Sequence, residues 1–204
     1  MHHGLYSATD AVVHMTHQVA CRTTAKTEFI LGLVSLLTEA IGIEQFGHVQ
    51  EDIAEIVVAL ETARAMLRAA EADAAVNEFG VLTPAWAPLN ACRNWYPKAY
   101  QRFPAIIAKL GASGLMALPT EADLAGDAAA DISRYLQAKN LNATDRVRLF
   151  RLAWDAALSD FGGRQALYEY YFFGDPVRTA EAMVRGYDRE PYKERVREFL
   201  NRAN

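Results

Sequence analysis

Three consecutive residues, Gly162, Gly163 and Arg164, have the types and spacing that could hold an anion. Each glycine costs about 1 kcal/mol relative to alanine inside a helix, so the pair predicts a break between two helices. Such a break would leave unpaired N–H groups at the start of the next helix, and together with the Arg164 guanidinium they would favour a phosphate. The alternative is an ordinary corner between two helices, and these residues taken alone favour that alternative.

Two histidines near the start of the chain are candidate metal ligands, and a nearby cysteine is a candidate reactive thiol. His14 and His17 lie three residues apart on one helical face. Bundles that hold two irons use Glu-x-x-His pairs from separate helices, and the sequence contains no such pair. Cys21 follows His17 by one turn and precedes Arg22, an arrangement that could lower the pKa of a thiol. We expect hydrogen-bonded histidines, a buried structural cysteine and no metal.

Known catalytic motifs give no support for a complete active site. Asp160-Phe161-Gly162 matches the magnesium-binding triplet of kinases, but neither a kinase glycine-rich loop nor a catalytic-loop motif accompanies it, so the match is due to chance. Walker A and G-x-S-x-G sequences do not occur. The aromatic run from Tyr168 to Phe173 predicts a core or subunit interface.

The composition is that of a soluble globular protein. Of 204 residues, 51% are hydrophobic and 23% are charged, with a net charge of −4 and no basic block. Nucleic acid is therefore not an expected partner. Isolated Cys21 and Cys92 predict reduced thiols in a cytoplasmic protein. The lack of a long apolar run or a signal-peptide pattern predicts no membrane association.

The hydrophobic pattern predicts an all-α antiparallel helical bundle of four or five long helices, forming a single domain over residues 1–204. Long helices are expected at about 10–41 and 48–76, with apolar positions spaced three and four apart. The segment FILGLVSLL in the first helix is apolar on nearly every side and should be enclosed by neighbours. No strand is expected.

The remaining chain predicts shorter helices and two loops. A loop at 78–90 precedes a helical segment in which Pro97 and Pro104 predict kinked or consecutive helices. A glycine-rich loop at 111–126 leads to a short helix at 127–138. Asn142 or Thr144 caps the next helix, which should end at the glycine pair. Two amphipathic helices follow at about 177–186 and 191–202.

Three phrases of the sequence resemble a known family in their order and spacing. They are HMTHQVACRTTAKTEFILGL, GASGLMALPTEADL and AWDAALSDFGGRQALYEYYFFGDPVR. They resemble the C-terminal helical domain of the oxygenase component of two-component 4-hydroxyphenylacetate 3-monooxygenases, and the resemblance covers essentially the whole chain. It implies a bundle like the C-terminal domain of acyl-CoA dehydrogenases. It also implies reduced FAD from a separate flavin reductase, and insertion of one oxygen of O2 into a phenol ortho to its hydroxyl.

The resemblance also implies where this chain meets FAD. The corner at the glycine pair would contact the flavin nucleotide, and the loop Ala112–Leu115 would meet FAD, often across a subunit boundary. The candidate cofactor-binding residues are Gly162, Gly163, Arg164, Ser113, Gly114 and Arg22, with Lys26 as a further candidate facing the flavin or the active-site cavity.

The chain is less than half as long as members of that family. Their N-terminal helical and middle β domains hold much of the flavin-ring pocket and the residues that grip the phenol. We therefore expect no catalytic residue here, a dimer or tetramer, and missing domains that could lie on another chain. The alternative is a catalytically inactive helical scaffold or binding module. The related 4-hydroxybutyryl-CoA dehydratases do not fit, because their iron–sulfur cluster needs three cysteines and a histidine.

Overall fold

A computed structural model of the chain describes residues 10–202, and this part is helical except for one small hairpin. The helices are α1 (Ala11–Ile41), α2 (Gly47–Ala72), α3 (Trp86–Tyr100), α4 (Arg102–Gly111), α5 (Glu121–Ala125), α6 (Ala129–Tyr135), α7 (Ala143–Ala157), α8 (Asp160–Tyr171), α9 (Pro176–Gly186) and α10 (Glu190–Arg202). The strands are β1 (Ala75–Val76) and β2 (Leu82–Thr83), which pair antiparallel. The all-α prediction is confirmed.

The chain divides into two compact units, Met1–Phe172 and Phe173–Asn204. The first contains α1 to α8, and the second contains α9 and α10. A single domain over residues 1–204 stays a prediction.

The long helices α1 and α2 run antiparallel in the first unit. His17 near the start of α1 contacts Glu71 near the end of α2, and Glu28 further along α1 pairs with Arg64 further back along α2. The apolar stripes that define this pair also meet α3, α4 and α7. The largest side chains buried in the resulting core include Val34, Leu37, Val49, Ile56, Leu89, Phe103, Ile106, Ile107, Val147 and Phe150.

The hairpin was not expected from the sequence, which predicted that α2 continues to Val76. The helix instead ends at Ala72, and the following chain forms a turn in which Asn77 supplies local hydrogen bonds. The Asn77 side-chain oxygen accepts from the backbone N–H groups of Phe79 and Val81, both at 3.0 Å. Gly80 adopts a φ of 75°, a left-handed conformation that favours glycine.

The second half of α1 is less enclosed than its composition predicts. Phe29 and Leu36 remain 52% and 55% exposed, whereas Val34 and Leu37 are fully buried. The expectation of burial on nearly every side was therefore wrong for one face of this helix within a single chain.

The proline and cap predictions are confirmed. The helical segment breaks at Gln101 into α3, which contains Pro97, and α4, which has Pro104 in its first turn. Asn142 caps α7 by accepting a hydrogen bond from the Asp145 N–H at 2.9 Å. The expected loop at 111–126 instead contains a 3₁₀ turn (Ala112–Leu115) and α5. None of the described helices is long and apolar enough to cross a membrane.

Candidate cofactor site

The corner between α7 and α8 is closed by a serine cap. Ser159 Oγ accepts hydrogen bonds from the N–H groups of Phe161 at 3.1 Å and Gly162 at 3.2 Å. The Gly163 N–H donates to the Ser159 carbonyl at 2.9 Å. The helix break therefore lies at Ser159, and the two glycines belong to the first turn of α8. The expectation that these N–H groups are unpaired was wrong, because the adjacent serine supplies the oxygen that an N-cap needs.

The two glycines of this corner differ in how much space a side chain would have. A Cβ at Gly162 would lie 2.8 Å from the Ala157 carbonyl carbon, so only glycine lets α8 pass this close to the end of α7. A Cβ at Gly163 would meet nothing within 4 Å. Packing therefore requires Gly162, whereas Gly163 leaves an open surface.

Arg164 provides the positive charge at this open surface. Its side chain is exposed and makes no ion pair or hydrogen bond within residues 10–202. Ser159, Asp160, Gly163, Arg164 and Leu167 line a shallow concavity of about 560 Å³. The negative charge of the Asp160 carboxylate in the same concavity partly neutralises the positive charge of Arg164. The corner alone is therefore a weak anion site.

The loop that contains Ser113 and Gly114 lines a second cavity, of about 600 Å³. A Cβ at Gly114 would lie 2.6 Å from the Phe150 ring, so glycine allows the turn to pack directly on α7. Ala112, two residues before Gly114, has a φ of 46°, which is strained for a residue with a side chain. Close packing therefore holds this loop in a conformation that it would not adopt alone.

Several positive groups surround the loop cavity. Lys109, Lys139 and Arg146 contribute to its wall. Lys109 pairs with Asp52 at 2.7 Å, whereas Lys139 has no ion pair in the described part of the chain. Such a wall suits a phosphate or another anion better than the corner does.

Arg146 is held in place beside this cavity. Its Nη1 donates to the Leu136 carbonyl at 3.3 Å, and its guanidinium carbon lies 4.5 Å from the centre of the Phe150 ring. Burial lowers the pKa of Arg146 from its usual value. Arg146, Lys139 and Lys109 were not predicted from the sequence, because no local motif contains them and packing brings the end of α4 beside the segment that leads into α7.

Arg22 lies in a third place, against the inner face of α8. Its Nη1 and Nη2 donate to the two carboxylate oxygens of Glu169 at 2.6 and 3.1 Å. Lys26 also donates to Glu169, and to Gln165 at 2.8 Å. The guanidinium carbon of Arg22 lies 4.8 Å from the centre of the Tyr168 ring. Within the described chain, the terminal nitrogens of Arg22 are engaged by the protein itself.

The predicted cofactor residues do not share one cavity in a single described chain. The loop cavity lies at the beginning of α7, beside Arg146, and the corner lies at its end, beside Ala157. Eleven residues of helix separate these points, or about 16 Å. A ligand that used both groups would have to be long, or the two groups would have to belong to different subunits.

The two cysteines differ in exposure. Cys92 is buried, and burial raises its pKa to about 11. Cys21 is exposed, so the expectation of a buried thiol was wrong at that position. Burial and the nearby Glu71 carboxylate raise rather than lower the pKa of Cys21.

These features define an α-helical bundle domain whose concave surfaces suit an anionic ligand. The family model described as HpaB, 4-hydroxyphenylacetate 3-hydroxylase C terminal, matches residues 3–201. The chain belongs to this family.

Relatives that carry this region are longer than the chain. The 4-hydroxyphenylacetate 3-monooxygenase oxygenase component of Geobacillus sp. (strain PA-9) is 52% identical over 199 residues, which is 97% of this chain and 40% of that protein. The corresponding Thermus thermophilus protein is 50% identical over 97% of this chain and 41% of its own length. The chain thus spans about two fifths of the length of these relatives.

Solved structures show the same fold. The oxygenase component (HpaB) of 4-hydroxyphenylacetate 3-monooxygenase complexed with FAD matches with a TM-score of 0.94 and 49% identity, over 97% of this chain and 42% of that one. An archaeal 4-hydroxybutyryl-CoA dehydratase from N. maritimus matches with a TM-score of 0.77 and 19% identity, over 94% of this chain and 38% of that one. At this identity the dehydratase supports the fold alone.

Proposed function

We propose that the chain is the C-terminal part of the oxygenase component of a two-component, reduced-FAD-dependent monooxygenase that hydroxylates 4-hydroxyphenylacetate or a related phenol. One observation carries this proposal. A solved oxygenase described as complexed with FAD and 4-hydroxyphenylacetate matches 98% of this chain with a TM-score of 0.94 and 49% identity. In this proposal the chain supplies contacts to FAD and to neighbouring subunits, and a flavin reductase is the functional partner.

The residues around the loop cavity fit the phosphate groups of FAD. Lys139 has no competing carboxylate, and Arg146 is fixed beside the turn that contains Ser113 and Gly114. Two cations in one partly enclosed cavity can bind a diphosphate without moving an internal ion pair. We assign the strongest FAD contact of a single chain to this cavity.

The corner at α8 fits a secondary contact. Gly163 leaves room for close approach, and the unpaired Arg164 guanidinium can turn towards an anion. Because Asp160 lies in the same concavity, we expect Arg164 to contribute less than the cations of the loop cavity. Because about 16 Å separates the two cavities, one FAD would contact both in an extended conformation or would receive them from different subunits.

The chain's part in the reaction is to hold FAD in a fixed position. Reduced FAD supplies the electrons with which one oxygen atom of O2 enters the phenol ring while the other leaves as water. The resemblance to the family implies that the residues that grip the phenol lie in the N-terminal and middle domains of the longer proteins. We therefore assign the phenol pocket to the region of the longer relatives that this chain does not span.

The second candidate is a catalytically inactive scaffold derived from the same domain. The serine cap at Ser159 supports it, because this cap already satisfies N–H groups that an anion would need. A scaffold would keep the helical fold and the subunit contacts without requiring Lys139 or Arg164.

A chimera separates the two candidates. Residues 3–201 of this chain replace the matching part of the Geobacillus oxygenase, and hydroxylation is measured with reduced FAD from a flavin reductase. We expect FAD-dependent hydroxylation of 4-hydroxyphenylacetate, because this chain would complete the cofactor site. A chimera that also carries Lys139→Ala and Arg164→Ala should need more FAD for half-maximal activity, whereas Arg68→Ala, an exposed arginine on α2, should change nothing. A chimera that folds and assembles like the intact relative but forms no product would support the scaffold instead.

A further inference from the structure

Three potential metal ligands converge where the beginning of α1 meets the end of α2. They are His17 and Cys21, one helical turn apart on α1, and Glu71 from the last turn of α2. One ligand atom from each residue lies within 4.8 Å of the others, and His17 Nε2 is 2.9 Å from the nearer Glu71 carboxylate oxygen. None of these residues contributes to the two cavities assigned to FAD.

The distances between the ligand atoms of these three residues are close to those in a tetrahedral metal site. Zinc binds imidazole nitrogen and carboxylate oxygen at about 2.0–2.2 Å and thiolate sulfur at about 2.3 Å. Those bond lengths place neighbouring ligand atoms about 3.3–3.6 Å apart. The His17–Glu71 spacing is already near this value, and the cysteine sulfur, within 4.8 Å of both groups, has to approach by at most about 1 Å. Because Cys21 and Glu71 are exposed, a change of side-chain rotamer can supply that movement.

The combination of ligand types indicates which metal the cluster would take. A thiolate, an imidazole and a carboxylate form a set of borderline softness that suits Zn²⁺ or Co²⁺ rather than Mg²⁺ or Ca²⁺. Three protein ligands leave a fourth position for water. A His–Cys pair at i and i+4 presents both ligands on one helical face, and the third ligand comes from a separate helix.

We propose that His17, Cys21 and Glu71 form a binding site for a divalent ion of the zinc class. The ion replaces the His17–Glu71 hydrogen bond and binds both of these groups directly. The Cys21 thiol releases its proton to solvent as the sulfur becomes a ligand. The bound ion then cross-links α1 to α2 at the open end of their antiparallel pair.

The position of Glu71 in the sequence explains why this site was not predicted. The sequence analysis considered His14 with His17 and rejected a metal because no Glu-x-x-His pair occurs. The third ligand, Glu71, lies 54 residues beyond His17 and comes beside it only when α1 and α2 pack together. His14 lies elsewhere, with its Nε2 3.5 Å from the Thr83 hydroxyl.

Titration of the chain with Co²⁺ tests the proposal, because a cobalt–thiolate bond has its own absorption band. His2 and His3 are changed to alanine in every sample, so that they cannot bind the added metal. We expect saturation at one equivalent, with a thiolate-to-cobalt charge-transfer band and visible bands typical of four-coordinate Co²⁺. Adding Zn²⁺ should abolish these bands by competition.

Matched variants identify the ligands. Cys21→Ser should remove the charge-transfer band, and Glu71→Gln should weaken binding by about 100-fold or more, since even the loss of a supporting residue costs 10–100-fold. Glu61→Gln, an exposed glutamate on the same helix, and Cys92→Ala should retain the band. A missing band in the parent chain, or a band that persists in Cys21→Ser, would overturn the proposal. Because FAD is absent from the titration, neither result depends on the proposed function.

Discussion

Glu169 is the residue on which the contact between α1 and α8 depends. Its carboxylate is 2% exposed and accepts hydrogen bonds from both Arg22 and Lys26. Removing one partner from a buried ionic cluster leaves the other charges uncompensated, which typically costs 3–5 kcal/mol. The cluster therefore stabilises the position of the helix that contains Gly162, Gly163 and Arg164.

We expect Glu169→Gln to lower the free energy of unfolding by about 3 kcal/mol, because a neutral amide cannot balance two cations. Urea unfolding of both proteins measures the difference. Glu61→Gln is the control, since it removes an exposed ion pair with Arg64 and should cost at most about 1 kcal/mol. Similar losses in the two variants would show that the buried cluster is not a special source of stability.

The buried Cys92 thiol predicts a loss of stability at high pH. Its pKa is about 11 in the folded chain and 9.0 in the unfolded reference. The folded state holds the proton more tightly, so this contribution is complete below pH 9 and disappears as the pH rises towards 11. We expect Cys92 to account for about 2 kcal/mol of the loss in unfolding free energy across that range. Cys92→Ala should show a shallower decline, and an unchanged slope would contradict this assignment.

At the residue scale, the sequence predicted which residues lie at the corner between α7 and α8, but it did not predict the hydrogen bonds that they make. Gly163 and Arg164 are exposed, as an anion contact requires, whereas Ser159 occupies N–H groups that were expected to be unpaired. Glu169 was not predicted as an ion-pair partner, because Arg22 and Lys26 come from a distant segment. Lys139 was not predicted as a binding residue, because its cavity also needs residues of α4. A helix propensity or a motif depends on residues that are neighbours in the sequence. A cavity or a buried ion pair is formed by residues from separate segments.

At the scale of elements, local signals located most of the helix boundaries. Pro104 and Asn142 predicted a helix start and a cap that are present, whereas Pro97 lies inside α3 rather than at a break. The hairpin after α2 was missed because its strands have only two residues each and carry no alternating pattern. Its main signal was the Asn77 to Gly80 turn, which the apolar periodicity of α2 obscured.

The junction between α7 and α8 gives a sharp prediction at this scale. Gly162→Ala should destabilise the chain by about 1–3 kcal/mol, because the new Cβ would lie 2.8 Å from the Ala157 backbone. Gly163→Ala is the same change one residue later, with nothing within 4 Å of the new Cβ, and should stabilise the helix by up to about 1 kcal/mol. Thermal unfolding of both variants measures these effects. Equal shifts in melting temperature would contradict the asymmetry between the two glycines.

At the scale of the whole molecule, exposed apolar side chains on α1 predict self-association. Phe29 and Leu36 lie two turns apart on the same face of α1, with Gly32 between them, and both are more than half exposed. The sequence predicted an apolar helix here but could not show that the chain leaves one face uncovered. Apolar surface of this kind is commonly covered by another subunit.

We expect light scattering to give a dimer or tetramer at micromolar concentration. Leu36→Glu should shift the mass towards that of a monomer, because it places a charge within the exposed apolar face. Val76→Glu is the control, since this side chain is exposed on the hairpin, which meets the start of α1 rather than the face that contains Phe29 and Leu36. A monomer mass for the unmodified chain would contradict the expectation.

The central claim is that this chain contributes cationic contacts to FAD, and a binding titration tests it most directly. Calorimetry of the unmodified chain should give a dissociation constant on the order of 0.1–1 mM for FAD, because we assign the contacts to the flavin ring to the region of the longer relatives that this chain does not span. ADP should bind similarly and riboflavin should not, since the proposed contacts are to phosphates. Lys139→Ala combined with Arg164→Ala should weaken binding by about 10-fold or more, as expected for the loss of charge-assisted hydrogen bonds. Arg68→Ala should leave affinity unchanged. Equal affinity of the double variant and the unmodified chain, or no binding at millimolar FAD, would contradict the claim.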